Sequence, residues 1–221
     1  LRHVLLRVGK NSKEIMVVLI TRVFTFPSKQ NFIKALKEKH PEITTIIQNV
    51  NERKTNVILG NKEYVLYGKG YIVDSLLGVN FKISSKSFYQ INHDQCEKLY
   101  SLALTKAKLN NDDEAIIDAK ENAKLNNINN ARFVCDDASN FLLKKSYDCV
   151  FVDPPRKGLD NKVIKALINS HPKKIIYISC DVSTLARDLN ILKNYVNIDS
   201  IDFVDMFPRT FHVETVVSLI Y

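Results

Sequence analysis

No stretch of the chain approaches the roughly 18 consecutive apolar residues that a membrane-spanning helix needs, so no bilayer partner is expected. The opening Leu1-Arg2-His3-Val4-Leu5-Leu6-Arg7 has neither a continuous apolar core nor a small-residue cleavage site, and no secretory signal is visible. There is no methionine at position 1, and the chain is expected to begin inside a longer protein. The four cysteines, Cys96, Cys135, Cys149 and Cys180, are too far apart for any C-x-x-C pair. That argues against a zinc ribbon or a thioredoxin-like site and makes a reduced, cytoplasmic setting the default. Glycine is scarce, with six in 221 residues and none from Val79 to Lys157. Gly68-Lys69-Gly70 has no third glycine and no following helical pattern, so it is not a nucleotide loop. Internal repeats and low-complexity tracts are missing as well.

What is present is a core-forming, basic sequence. Hydrophobic residues make up 45% and charged residues 25%, which excludes a disordered or collagen-like chain. Lys and Arg number 32 against 24 Asp and Glu, a net charge of +8. That surplus fits an ordinary solvated surface or a polyanionic partner.

The chain divides into two rhythms. Over 1–84, short apolar runs (Val4–Val8, Ile15–Ile20, Thr44–Ile47, Val57–Leu59, Tyr64–Tyr67) predict strands joined by turns. One helix interrupts them, with Ser28 as its expected N-cap and Phe32, Ile33 and Leu36 at helical spacing. This is a small α+β unit. From Asp94 onward helices are expected over about Gln95–Leu109, Glu114–Leu125, Lys162–Asn169 and Ser183–Leu192. Strands are expected over Ala131–Cys135, Tyr147–Val152, Lys174–Ile178, Asp199–Val204 and Val213–Tyr221. Such alternation predicts an α/β domain over 85–221, with a parallel sheet, helices on both faces and ligands beyond the carboxyl ends of the strands.

Three strand ends carry unusual chemistry. Asp153-Pro154-Pro155-Arg156-Lys157-Gly158 holds a carboxylate at a strand tip on a stiff loop, although Asp-Pro also simply begins turns. Cys180 lies between a strand's carboxyl end and a helix's amino end, where free N–H groups are expected to depress a thiol pKa; inert packing is the alternative. His212 and Glu214 share one face of the strand they open. A carboxylate entering an apolar strand is either a general base or the partner of Arg209, and His212 reads as a hydrogen-bonded structural residue.

Ser87-Phe88-Tyr89-Gln90-Ile91-Asn92, Asp153-Pro154-Pro155-Arg156-Lys157-Gly158, Ser179-Cys180 with Thr184-Leu185-Ala186-Arg187-Asp188, and Asp205-Met206-Phe207-Pro208 with His212-Val213-Glu214 occur in this order. Together they resemble the S-adenosylmethionine-dependent RNA (uracil-C5)-methyltransferases, over most of the chain, and look more like the 23S rRNA branch than the tRNA branch. The resemblance implies a Rossmann-like methyltransferase domain after the small α+β domain, S-adenosyl-L-methionine as cofactor and RNA as partner. It implies Cys180 as the nucleophile that adds at uracil C6 and Glu214 as the base that removes the C5 proton. Gln90, Asp137 and Asp153 match cofactor-contacting positions, and Phe88 an aromatic near the target base. Arg156 and Lys157 suit RNA phosphate or a solvated loop.

Two departures stand out. Asp181 and Val182 follow the nucleophile where the family usually has Asn and Pro, and a carboxylate beside a thiol disfavours the thiolate. The family's glycine-containing first loop is expected between Leu109 and Glu114, where only Asn110-Asn111-Asp112-Asp113 stand. A first βαβ unit, roughly 30 residues, is therefore missing from the sequence. The chain is expected to join two segments across that unit. The competing expectations are a catalytically inactive RNA-binding homologue and an amino-group methyltransferase built on Asp153-Pro154-Pro155.

Overall fold

The structure, a computed structural model, describes residues 1–107, 118–134, 137–142 and 147–221. Leu109, Asn110–Asp113, Glu114 and Cys135 lie outside the described residues. Two compact units emerge, one formed by Leu1–Tyr89 with Asp118–Asn129, the other by Gln90–Ile117 with Asn130–Tyr221.

In the first unit β1 (His3–Val8), β2 (Ile15–Thr21), β3 (Ile43–Val50) and β4 (Lys62–Tyr67) form a sheet in that order, with β2 and β3 parallel and joined through α1 (Lys29–Lys39). β2 is apolar on both faces because both are covered. Val17 and Leu19 meet Ile33 and Leu36 of α1, while Met16, Val18 and Ile20 meet Ile72 and Ile83. The latter pair belongs to a hairpin of β5 (Ile72–Leu76) and β6 (Val79–Ile83), turned at Leu77-Gly78 with positive φ at both residues. Buried Asp74 ties that hairpin down by accepting from the N–H groups of Lys10, Asn11 and Ser12 at 2.9–3.0 Å. Ser28 holds the N-cap position of α1 with φ 54° but makes no side-chain cap bond. Val57–Leu59 is loop rather than strand, since the buried Asn51 amide donates to the carbonyls of Val57 and Ile58 and so takes up acceptors a ladder would need.

The second unit begins with α2 (His93–Ala107). The next helix, α3 (Asp118–Leu125), packs on β6 in the first unit, where the Asn122 side chain accepts from the Lys82 N–H at 2.8 Å. The second unit continues with α4 (Ala138–Leu142), β7 (Cys149–Val152), α5 (Asn161–Ser170), β8 (Lys174–Ser179), α6 (Val182–Leu192), β9 (Asn197–Val204) and β10 (Glu214–Ile220). The strand order is β7-β8-β10-β9.

The expected parallel sheet is parallel only across β7 and β8, because β10 runs antiparallel between β8 and β9. α5 and α6 cover one face, over Ile175, Tyr177, Val217 and Leu219. α2 packs on the other, against β8, β10 and β9. Residues 131–134 are not a strand; no described strand pairs with them, and β7 is likewise paired on one side only among the described residues.

Candidate active site

The register of the sheet brings three chemical groups to one end. β8 and β10 pair Ser179 with Thr215, so one step further Cys180 lies opposite Glu214. Adjacent strands sit about 4.8 Å apart. In the parallel pair Val152 faces Tyr177, which puts Asp153 beside the same end of β8. Asp153, Cys180 and Glu214 therefore come to the end of the sheet where the ligand rule for open sheets places a site.

The loop after β7 is clamped by residues whose motif gave no hint of this role. Asp188 of α6 is fully buried, and its Oδ2 accepts from the Leu159 N–H and the Tyr177 hydroxyl, both at 2.7 Å. Its Oδ1 accepts from Nε and a terminal nitrogen of Arg187 at 2.9 and 2.7 Å, while Arg187 also donates to the Lys157 carbonyl at 2.9 Å. Thr184 adds a hydroxyl bond to the Arg156 carbonyl at 2.9 Å. Gly158 has φ +76°, and a Cβ there would stand 2.6 Å from both Arg187 and Asp188. Only glycine fits that combination of backbone and space.

Electrostatics at the site differ from the sequence expectation. The Cys180 thiol is pushed up rather than down, by burial first and then by the charges of Glu214 and Asp153; a backbone hydrogen bond and Arg156 work against that. Two N–H groups at the N-terminus of α6, where the sequence placed a lowering influence, are already used. Asp181 caps the helix, its Oδ1 accepting from the N–H groups of Ser183 and Thr184 at 3.0 Å each, and the Thr184 bond leads in holding its carboxyl below the usual range. The anomalous Asp181 thus spends its charge on the helix end.

Glu214 is 5% exposed and has no hydrogen-bond partner among the described residues; burial and then Asp153 raise its pKa, with Arg156 opposing. The cation near Glu214 is thus Arg156 and not Arg209. Asp153 is open to solvent at its edge yet crowded enough by protein that desolvation raises its pKa. α2 contributes two neighbours that the sequence did not single out for the site. Cys96 is raised to about 11 by burial, Glu97 and Glu214, and Tyr100 to about 12 by burial, Asp153, Cys96 and Glu214.

His212 accepts from an Arg156 guanidinium nitrogen at 3.1 Å, which agrees with the expected hydrogen-bonded histidine. Its ring lies 4.3 Å from that of Phe211, itself 90% exposed.

The other predicted residues lie as follows. Gln90 is half-buried, two residues before Asn92, whose amide donates to the Met206 carbonyl at 3.0 Å. Asp137 is exposed at the start of α4, where its Oδ1 accepts from Ser139 N and Oγ at 2.9 and 2.6 Å. Phe88 belongs to the first unit and is 85% exposed. Lys157 is exposed and paired with Asp160 at 3.1 Å. No helix among the described residues is long and apolar enough to cross a membrane.

A family model described as tRNA (Uracil-5-)-methyltransferase matches residues 128–221. An uncharacterized RNA methyltransferase of Oceanobacillus iheyensis is 40% identical over 255 residues, covering 99% of this chain and 56% of that protein. One from Staphylococcus aureus is 38% identical, covering 98% of this chain and 55% of that protein. The chain spans about half the length of these curated relatives. The first alignment is longer than the chain itself, so more than thirty positions of that relative have no counterpart here. Among solved structures, the tRNA (uracil-54, C5)-methyltransferase of Pyrococcus abyssi in complex with S-adenosyl-L-homocysteine superposes with a TM-score of 0.80 at 27% identity, over 98% of this chain and 59% of that one.

Proposed function

We propose that the chain, similar to the tRNA (uracil-5-)-methyltransferases over residues 128–221 and to RNA methyltransferases along its length, carries the chemistry of methyl transfer from S-adenosyl-L-methionine to C5 of a uridine in RNA. The observation that carries this reading is Cys180 opposite an unpartnered, buried Glu214 at one end of the sheet. Uracil C5 is a weak nucleophile. Addition of the Cys180 thiolate at C6 breaks the C5–C6 double bond and makes C5 an enolate carbon that can attack an electrophile. S-adenosyl-L-methionine, when bound, would supply that electrophile, the methyl group of its sulfonium, whose S–CH3 bond breaks as S-adenosyl-L-homocysteine leaves. Glu214 then takes the proton from C5, the C5–C6 double bond re-forms and Cys180 leaves as thiolate. A base with no hydrogen-bond partner and a raised pKa suits that step, because it binds the proton more readily than an ordinary carboxylate.

The cofactor's residues are Asp153 and Gln90, with Asp137 the third. Asp153 fits, being a carboxylate at a strand end without a hydrogen-bond partner among the described residues, able to accept from an amino or ammonium group. Asp137 fits less well, since one oxygen is already held by Ser139.

RNA is the partner that the net charge of +8 and the exposed ring of Phe211 favour, through phosphate attraction and base stacking. Arg156 serves the substrate side of the site. The Asp205-Met206-Phe207-Pro208 wording favours 23S rRNA over tRNA as the substrate.

The test is transfer of labelled methyl groups from S-adenosyl-L-methionine into unmodified 23S rRNA and tRNA transcripts, with the product nucleoside identified. 5-Methyluridine in 23S rRNA supports the full reading. The same product in tRNA moves the substrate, and its absence from both overturns the function.

A catalytically inactive RNA-binding homologue is the second reading. It is favoured by the positions without counterpart and by the one-sided pairing of β7 among the described residues. Micromolar binding of S-adenosyl-L-methionine in a calorimetric titration excludes it.

A further inference from the structure

Arg156 does more in this site than present a cation at the surface. Its charge works to lower the pKa of the Cys180 thiol, the Glu214 carboxyl and the Asp181 carboxyl, three groups from two different segments. A guanidinium that reaches all three has to be held in place. The Thr184 hydroxyl fixes its backbone through the Arg156 carbonyl at 2.9 Å, and the His212 Nε2 holds its head at 3.1 Å. Arginine has five N–H donors and no acceptor, so this bond requires an unprotonated Nε2 lone pair and places the imidazole proton on Nδ1. The His212 ring lies 4.3 Å from that of Phe211 and edge-on to Phe207 at 6.5 Å.

We propose that His212 is a positioning residue whose Nε2 holds the Arg156 guanidinium facing Cys180 and Glu214, so that a positive charge favours the nucleophilic thiolate where the helix end, capped by Asp181, does not. The inference rests on Cys180 being the nucleophile of the proposed reaction. The groups that oppose Arg156 around the thiol are Glu214 from β10 and Asp153 from the end of β7; of the α2 residues, Tyr100 feels both carboxylates and Cys96 feels Glu214. Burial and these two acids disfavour the Cys180 thiolate, and Arg156 is the cation that opposes them. Moving that cation raises the cost of the thiolate without touching the sulfur.

The test needs neither RNA nor cofactor. The protein is alkylated with iodoacetamide across pH 6–10, and the peptide containing Cys180 is followed by mass spectrometry, so the midpoint of the rate profile reports thiolate formation. His212→Leu and Arg156→Leu are each expected to move that midpoint upward, slowing alkylation at pH 7.5 by roughly three- to tenfold. The double variant should be no slower than Arg156→Leu alone, because His212 acts through Arg156. His212→Gln, whose amide oxygen can accept the same bond, should keep the wild-type profile. An unchanged midpoint in His212→Leu, or additive shifts in the double variant, overturns the proposal. If His212→Leu fails to fold, His212→Gln and Arg156→Leu still decide it: a wild-type profile in Arg156→Leu refutes the role of the charge, and a shifted one in His212→Gln refutes the role of the acceptor. Failure here leaves RNA methylation unaffected, and failure of methylation leaves the alkylation profile readable.

Discussion

Asp188→Ala removes the anchor of the Asp153–Gly158 loop without touching a reacting atom. The carboxylate is fully buried and takes hydrogen bonds from the Leu159 N–H, the Tyr177 hydroxyl and two nitrogens of Arg187. Two of those donors, Leu159 N–H and the fully buried Tyr177, are left unsatisfied at about 1–3 kcal/mol each. Arg187 is 53% exposed and recovers water for much of its charge, so its release adds little. The sum falls at about 2–6 kcal/mol, which brackets the ~3–5 kcal/mol usual for removing one partner of a buried charged network. At this chain length each kcal/mol is worth about 2–4 °C, so a thermal midpoint roughly 10 °C lower is expected. Tyr177→Phe removes one of the stranded donors, and in that background Asp188→Ala should cost less by about 0.5–3 kcal/mol. Urea unfolding of the four proteins closes the cycle. A loss under about 1 kcal/mol for Asp188→Ala, or no coupling to Tyr177→Phe, refutes the clamp.

Glu214→Gln should be more stable than the wild type at neutral pH. Its raised pKa means that the folded state binds a proton more tightly than the unfolded state, so wild-type stability falls as pH rises from the unfolded carboxyl value through the raised one. Melting curves should therefore show an advantage for Glu214→Gln at pH 7–8 that disappears below about pH 4; the reverse order contradicts the buried-base assignment. The same variant should accumulate a protein–RNA adduct, because the C5 proton stays. Gly158→Ala forces a side chain into φ +76° against Arg187 and Asp188, and calorimetry should show a loss of at least about 1–2 kcal/mol from the backbone alone. Phe211→Ala should weaken RNA binding by about 1–3 kcal/mol, the worth of one stacked base, with Phe211→Trp close to the wild type; an unchanged Kd removes Phe211 from the interface.

The α/β class and most strands and helices of the second unit were readable because their apolar runs have clear ends at Pro, Asp and Gly. The hairpin at Ile72–Ile83 was not singled out, since its turn, Leu77-Gly78, carries only one glycine as a signal. Val57–Leu59 carries the composition of a strand, yet its carbonyls are claimed by a buried asparagine that the local pattern does not reveal. At the site, Glu214 opens β10 as expected, whereas His212 stands two residues before the strand and does not share a strand face with it. The sign of the Cys180 shift could not be read from spacing along the chain, because it depends on which group occupies the helix end and which carboxylates the register brings across. Of the two sequence readings of Glu214, the pairing with Arg209 fails for the same reason. Arg209 is near in sequence, whereas Arg156 is near in space. Asp188 and Arg187 were visible only as a motif, since the loop they clamp is about thirty residues away in the chain.

The central claim is that Cys180 bonds to the uracil ring during the reaction. Incubation with S-adenosyl-L-methionine and RNA carrying 5-fluorouridine tests it most directly, because fluorine at C5 cannot be removed by Glu214 as a proton is, and the ring stays on the sulfur. The account predicts a stable protein–RNA adduct whose mass maps to the peptide containing Cys180 and which Cys180→Ala abolishes. Methylated RNA without any adduct, or an adduct that survives Cys180→Ala, would contradict it.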